Sequence, residues 1–130
     1  VHLAPQARIL PQTAKAGVLM VRSTLSDPAD RDAFERWYAS DHAPLAAAKL
    51  GARTGRRFWS VTESTVHCAL YEFDSVARLE AMMGCEVTQW LIDEYDRNWP
   101  APRVTRSREI WADAGMVETQ KVAGERSRDA

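Results

Sequence analysis

The chain has 130 residues, 45% hydrophobic and 27% charged, with 17 basic against 18 acidic side chains and a net charge of −1. That length suits one domain able to bury a core. Without a basic excess to neutralise phosphates, nucleic acid is not an expected partner, and no apolar run approaches the roughly 20 residues that span a bilayer, so no membrane partner is expected. Val1 to Ala16 lacks the charged-then-apolar layout of a signal peptide, and a cytoplasmic setting is the expectation. Cys68 and Cys85 are too few for a disulfide scaffold and belong to no metal-binding pattern; both read as small core hydrophobes.

Residues 1–15, with Pro5 and Pro11, read as an irregular arm. Gly17 to Ser23 is the first strand, apolar at adjacent positions and therefore covered on both faces. Asp27 as a cap and Pro28 at the first helical position start a helix. Phe34, Trp37, Tyr38 and Asp41 fall at i, i+3, i+4 and i+7 and predict its buried face. The helix is expected to end near Ser40, because Pro44 disfavours helical geometry at Ala43. Residues 41–52 then form a loop, with room for a helical turn at Leu45–Leu50.

Arg53 to Thr62 reads as the second strand, with Arg57 and Trp59 on one face and Arg56, Phe58 and Ser60 on the other. A short turn at Glu63-Ser64 leads into Val66 to Phe73, the third strand, so the pair is an antiparallel hairpin. Asp74 or Ser75 caps a second helix that runs to Met83 and breaks at Gly84. A further helical piece from about Thr88 to Arg97 is patterned by Trp90, Leu91, Glu94 and Tyr95. Val104 to Trp111 is the last strand, and residues 113–130 read as a flexible tail.

The order strand, helix, strand, strand, helix, strand splits residues 16–112 into two βαβ halves of similar length. The predicted class is α+β: a four-stranded antiparallel sheet with its helices on one face. Leu19, Val21, Phe58, Trp59, Leu70 and Tyr71 place bulky apolar groups on both faces of that sheet. A face left in water would be a large apolar patch. A homodimer packed sheet to sheet is the simplest cover.

The segment Phe34-Glu35-Arg36-Trp37-Tyr38-Ala39-Ser40-Asp41-His42-Ala43-Pro44, with Tyr71-Glu72-Phe73-Asp74 as a weaker echo, resembles the EthD-like branch of the dimeric α+β barrel superfamily. The resemblance covers about residues 16–112. It implies a ferredoxin-like βαββαβ fold, two sheets face to face in a shared barrel, and a pocket beneath the helices or inside the barrel. The superfamily includes cofactor-free monooxygenases, cyclases, lactone isomerases, aldoxime dehydratases and haem peroxidases, so fold alone does not decide chemistry. No segment matches the haem branches, and no cofactor is expected.

His42 is the leading candidate for catalysis, since its ordinary pKa near 6.5 suits proton transfer. The resemblance, rather than spacing, singles it out. The plainer alternative is a cap on a helix C-terminus, where an imidazolium meets the dipole. Asp41 could orient the ring. Tyr38 and Arg57 are candidates to steady an enolate-like oxygen. A structural ion pair of Arg57 with Glu72 or Glu109 is the simpler use. Trp37, Trp59, His67, Tyr71 and Trp90 are candidates for substrate contact, each of which could equally serve packing alone. No phosphate loop, serine-nucleophile motif or metal-ligand cluster occurs.

Two functions follow as expectations. The first is a small cofactor-independent enzyme doing acid–base chemistry on a hydrophobic cyclic or aromatic oxygenated metabolite, of isomerase, cyclase or monooxygenase type. The second is a non-catalytic small-molecule-binding or interaction module using the same pocket. A His42 ring held by a carboxylate and facing a closed cavity favours the first; a mobile, solvent-accessible ring favours the second.

Overall fold

The computed structural model describes residues 12–119. The expected arm and tail lie largely outside these; residues 12–14 form one 3₁₀ turn and residues 113–119 have no regular structure. The strands are β1 (Gly17–Leu25), β2 (Thr54–Trp59), β3 (Val66–Phe73) and β4 (Val104–Ala112). They form one antiparallel sheet in the order β2-β3-β1-β4. The helices are α1 (Arg31–Trp37), α2 (Ala43–Leu50), α3 (Val76–Met83) and α4 (Glu86–Asn98). This is the expected βαββαβ arrangement. Among the described residues no helix is long and apolar enough to cross a membrane.

Local chemistry accounts for the element starts. Asp27 accepts a hydrogen bond from the Ala29 amide, and Pro28 opens a 3₁₀ turn that leads into α1. Ser75 caps α3 by accepting from the Arg78 amide. Gly51 ends α2 in the left-handed conformation at φ 73°, where a side chain would also meet the Arg78 guanidinium.

The stretch expected to be a loop is helix. Tyr38–His42 is a π-helical segment joining α1 to α2, and Ala43 keeps helical angles although Pro44 follows it. The Ala43 amide donates five residues back, to the Tyr38 carbonyl. This wider turn makes room for the Pro44 ring where a regular turn would press it against the Ser40 carbonyl. Pro44, without an amide hydrogen, sits in the first turn of α2, where none is needed.

The sheet's covered face carries Leu19, Val21, Ser23 and Leu25 from β1 and His67, Ala69, Tyr71 and Phe73 from β3, all buried. Phe34 fills the centre of the layer above, in aromatic contact with Tyr38, Trp59, His67, Tyr95 and Trp99. Tyr95 and Ser23 share a buried hydrogen bond of 2.5 Å. On the opposite face, Val18, Met20, Cys68 and Leu70 are half-buried, with Phe58 and Trp111 exposed. Cys68 and Cys85 are thus not core residues: Cys85 is exposed because it stands at the N-cap of α4, outside both helices.

Candidate functional site

The π segment decides which side chains reach the interior. In a regular helix the side chain four residues after Trp37 lies above it; that residue is Asp41. The extra residue of the π turn turns Asp41 outward, where it is exposed, and brings in His42, which is only 6% exposed. The His42 ring stacks on Trp37 with centroids 4.7 Å apart and meets the edges of Tyr38 and Tyr95. The expectation that Asp41 orients His42 is therefore corrected.

The carboxylate that orients it is Glu94 of α4. His42 Nδ1 lies 2.8 Å from Glu94 Oε1, in a largely buried pair. With Nδ1 donating to the carboxylate, Nε2 is left as the basic nitrogen. Asn98 donates to the other Glu94 oxygen at 3.3 Å and to the Glu94 carbonyl at 2.8 Å, fixing the carboxylate. Burial lowers the pKa of His42, opposed by the hydrogen bond and charge of Glu94. The ring is thus neutral near pH 7. It is not a helix-terminal cap, because the helix continues to Leu50.

His42 lines a cavity between the covered face and helices α2 and α4. Its other walls include Leu19, Val21, Leu50, Leu91 and Tyr71, with Arg106 and Arg108 of β4 on the outer side. The cavity measures about 40 Å³ and is open to solvent on one side. At roughly 10–15 Å³ per water it holds a few waters, so a metabolite would seat only part of itself inside.

Tyr71 is 2% exposed, and its hydroxyl has no hydrogen-bond partner among the described residues. The same is true of the Tyr38 hydroxyl and of His67 Nδ1. Burial raises the pKa of both phenols, Tyr71 to about 12, so both are protonated donors. An unpaired buried hydroxyl costs about 1–3 kcal/mol. The Tyr38 and Tyr71 phenols lie close enough to act on each other's ionisation, so part of that cost is met between them.

Arg57 and Trp59 belong to a different cluster, facing α1. Arg57 makes a two-pronged pair with Glu35, at 2.9 and 2.7 Å, and Trp59 Nε1 donates to the same carboxylate at 2.7 Å. The partners expected for Arg57 are overturned. Glu72 is on the other face of the sheet, pairing with Arg53 at 3.2 Å, and Glu109 lies opposite Met20 on that same face. Arg57 also lies 3.2 Å from His67 Nε2, which accepts from it. Arg57 does not line the His42 cavity, and nor does Trp90. Trp90 is 45% exposed, with the Lys49 ammonium over its ring. Trp37 and Tyr38 pack directly on the His42 ring, and His67 packs against Tyr38. Glu94, Arg106 and Arg108 were not foreseen as site residues. For the two arginines a signal existed, since they interrupt the apolar positions Val104 and Ile110 on one face of β4.

No protein-family model matches the chain, and no curated protein matches it. Several solved structures do match in fold. A monooxygenase from Streptomyces coelicolor (ActVA-Orf6, in complex with nanaomycin D) superposes with a TM-score of 0.62 at 11% identity, over 82% of this chain and 95% of that one. SnoaB, a cofactor-independent oxygenase from Streptomyces nogalater, gives 0.56 at 12%, over 82% and 100%. An EthD family protein from Bacillus halodurans gives 0.51 at 18%, over 71% and 96%.

Proposed function

We propose, for a chain with the ferredoxin-like fold of the dimeric α+β barrel superfamily, that it is a small enzyme using His42 as a general base on a hydrophobic, oxygenated metabolite. The observation that carries this reading is His42 Nδ1 held 2.8 Å from Glu94 while the ring lines an apolar cavity. That is how a positioned base is built, with its second nitrogen fixed by a carboxylate.

The step breaks a C–H bond next to a carbonyl. The proton passes to His42 Nε2 and the electron pair moves onto the carbonyl oxygen. The imidazolium that forms is stabilised by Glu94. Tyr71 lines the same cavity, and its buried hydroxyl, with the Tyr38 phenol as its near neighbour, is the group assigned to donate to the developing oxyanion. This role falls to Tyr71 rather than to Arg57, whose charge is matched by Glu35. Isomerisation, cyclisation and cofactor-independent oxygenation can each start from that enolate. The oxygenase described for SnoaB supports a chemistry of this kind on this fold.

The test is exchange of α-protons for deuterium in bicyclic ketones such as 2-tetralone, followed by NMR. The full chain should accelerate exchange over buffer. His42→Gln should lower the rate about 100-fold, the size usual for a general base, and Tyr71→Phe also about 100-fold, the lower end for loss of one oxyanion donor. Equal rates for wild type and His42→Gln would favour the binding module.

The uncovered sheet face supports a homodimer. Val18, Met20, Leu70, Phe58 and Trp111 make an apolar strip across all four strands. Light scattering at low micromolar concentration should give about twice the 14.6 kDa chain mass. A monomer there would remove the barrel from the proposal.

A further inference from the structure

Arg106 and Arg108 stand on the covered face of β4, beside Ser23 and Val21 of β1, where a strand under helices ordinarily presents apolar side chains. They differ in how their charges are met. Arg106 lies 4.1 Å over the Tyr95 ring and donates to Asp96 at 3.0 Å, so it is both fixed and neutralised. Arg108 has no carboxylate partner among the described residues. Among the described residues no acid lines the cavity that both arginines border, and the charge of His42, when it forms, is matched by Glu94. Arg108 is thus an exposed guanidinium, paired with no carboxylate among the described residues, on the border of an otherwise apolar cavity. Partial burial and then the neighbouring Arg106 act against its charge, and Asp96, already bonded to Arg106, offsets them only in part.

We propose that Arg108 anchors a carboxylate of the ligand, so that the metabolite taken by this cavity is an apolar acid. Its hydrocarbon part enters the narrow space between Leu19, Val21 and Leu91, and its carboxylate stays at the mouth on the planar fork of Arg108. The small inner volume agrees, since it admits part of a molecule and leaves the polar end outside. This inference rests on reading the cavity as a ligand site, and does not require that the bound acid react.

The probes are phenylacetate and its neutral isostere phenylacetamide, titrated into the full chain and followed by amide chemical shifts. Phenylacetate should bind about tenfold tighter than phenylacetamide, with shifts at Val21, Leu91 and Ile92. Arg108→Met should remove that preference and leave phenylacetamide within about twofold, whereas Arg108→Lys should retain part of it. Equal binding of acid and amide by wild type overturns the proposal. So does a preference that survives Arg108→Met, shifts confined to other surfaces, or no binding of either probe at about 10 mM. Deuterium exchange by His42 with no preference for the acid would refute the anchor and keep the base. Preference for the acid without exchange would keep the anchor and refute the base.

Discussion

Replacing Phe34 with Ala should destabilise the protein by about 3–5 kcal/mol, the range for emptying a fully buried aromatic site. Phe34 is 0% exposed, and its ring lies 5.2 Å from Trp99, 5.3 Å from Tyr38 and 5.4 Å from His67. These neighbours come from the π segment, β3 and the residue that follows α4. They are large, flat and anchored elsewhere, so they cannot collapse into the space left behind. A domain of this size has about 5–15 kcal/mol in total, and the variant should be partly unfolded at 37 °C. Phe34→Leu, which keeps most of the volume, should cost much less. Urea unfolding of the three proteins provides the measurement. A loss under about 1 kcal/mol for Phe34→Ala would mean that the aromatic layer repacks around the gap.

Lowering the pH from 7 to 5 should remove about 2 kcal/mol of stability, most of it through His67. This ring is 0% exposed and accepts from Arg57, so a proton on it would be both buried and set against a guanidinium. Burial first, and then Arg57, hold its pKa at about 4, against 6.5 ordinarily. Between those two values the unfolded chain binds a proton that the folded chain refuses. Stability is therefore complete above about pH 6.5 and drains away as the pH falls toward 4. His42, also shifted downward, acts in the same direction. Glu35 does not contribute in this window. Its carboxyl is held at about 2 by the Arg57 and Trp59 hydrogen bonds, so its share is lost only below about pH 4.5. His67→Gln keeps an acceptor for Arg57 but cannot titrate. Urea midpoints at both pH values should show the wild-type loss and a much flatter response in the variant. If the variant loses as much as wild type, the acid sensitivity belongs to His42 instead.

Much of the fold could be read directly from the residues, because the signals are local. Ser75 three residues before Arg78, Gly51 after Leu50, and the alternation through Val66–Phe73 each act within a few residues. The site was readable only in part. His42 stood out by its chemistry and by the segment around it. Its partner Glu94 lies 52 positions away on α4, where one more acid in an amphipathic helix carries no mark. Glu35 escaped for the same reason, 22 positions from Arg57. Asp41 was misplaced by a rule that is sound for regular helices. Nothing in the residue pattern announces a turn of five apart from Pro44, whose local preference is to end a helix.

That turn amounts to a single surplus residue in an otherwise ordinary helix, and it behaves as an index mark for everything after it. Removing one residue at Ser40, exposed and without a side-chain contact noted above, would rewind the segment into a regular α-helix. Each residue of a helix accounts for about 100° of rotation. The π turn covers with five residues about the rotation that a regular helix covers with four, so such a deletion would leave His42 four residues after Trp37 and keep it, Ala46 and Leu50 facing the cavity. The Pro44 ring would then press on the turn before it. The same loss within the regular turns of α2 would instead carry the residues after it about 100° off the cavity wall. The π segment is thus a point where the chain can shorten by one codon and leave the cavity's lining in place.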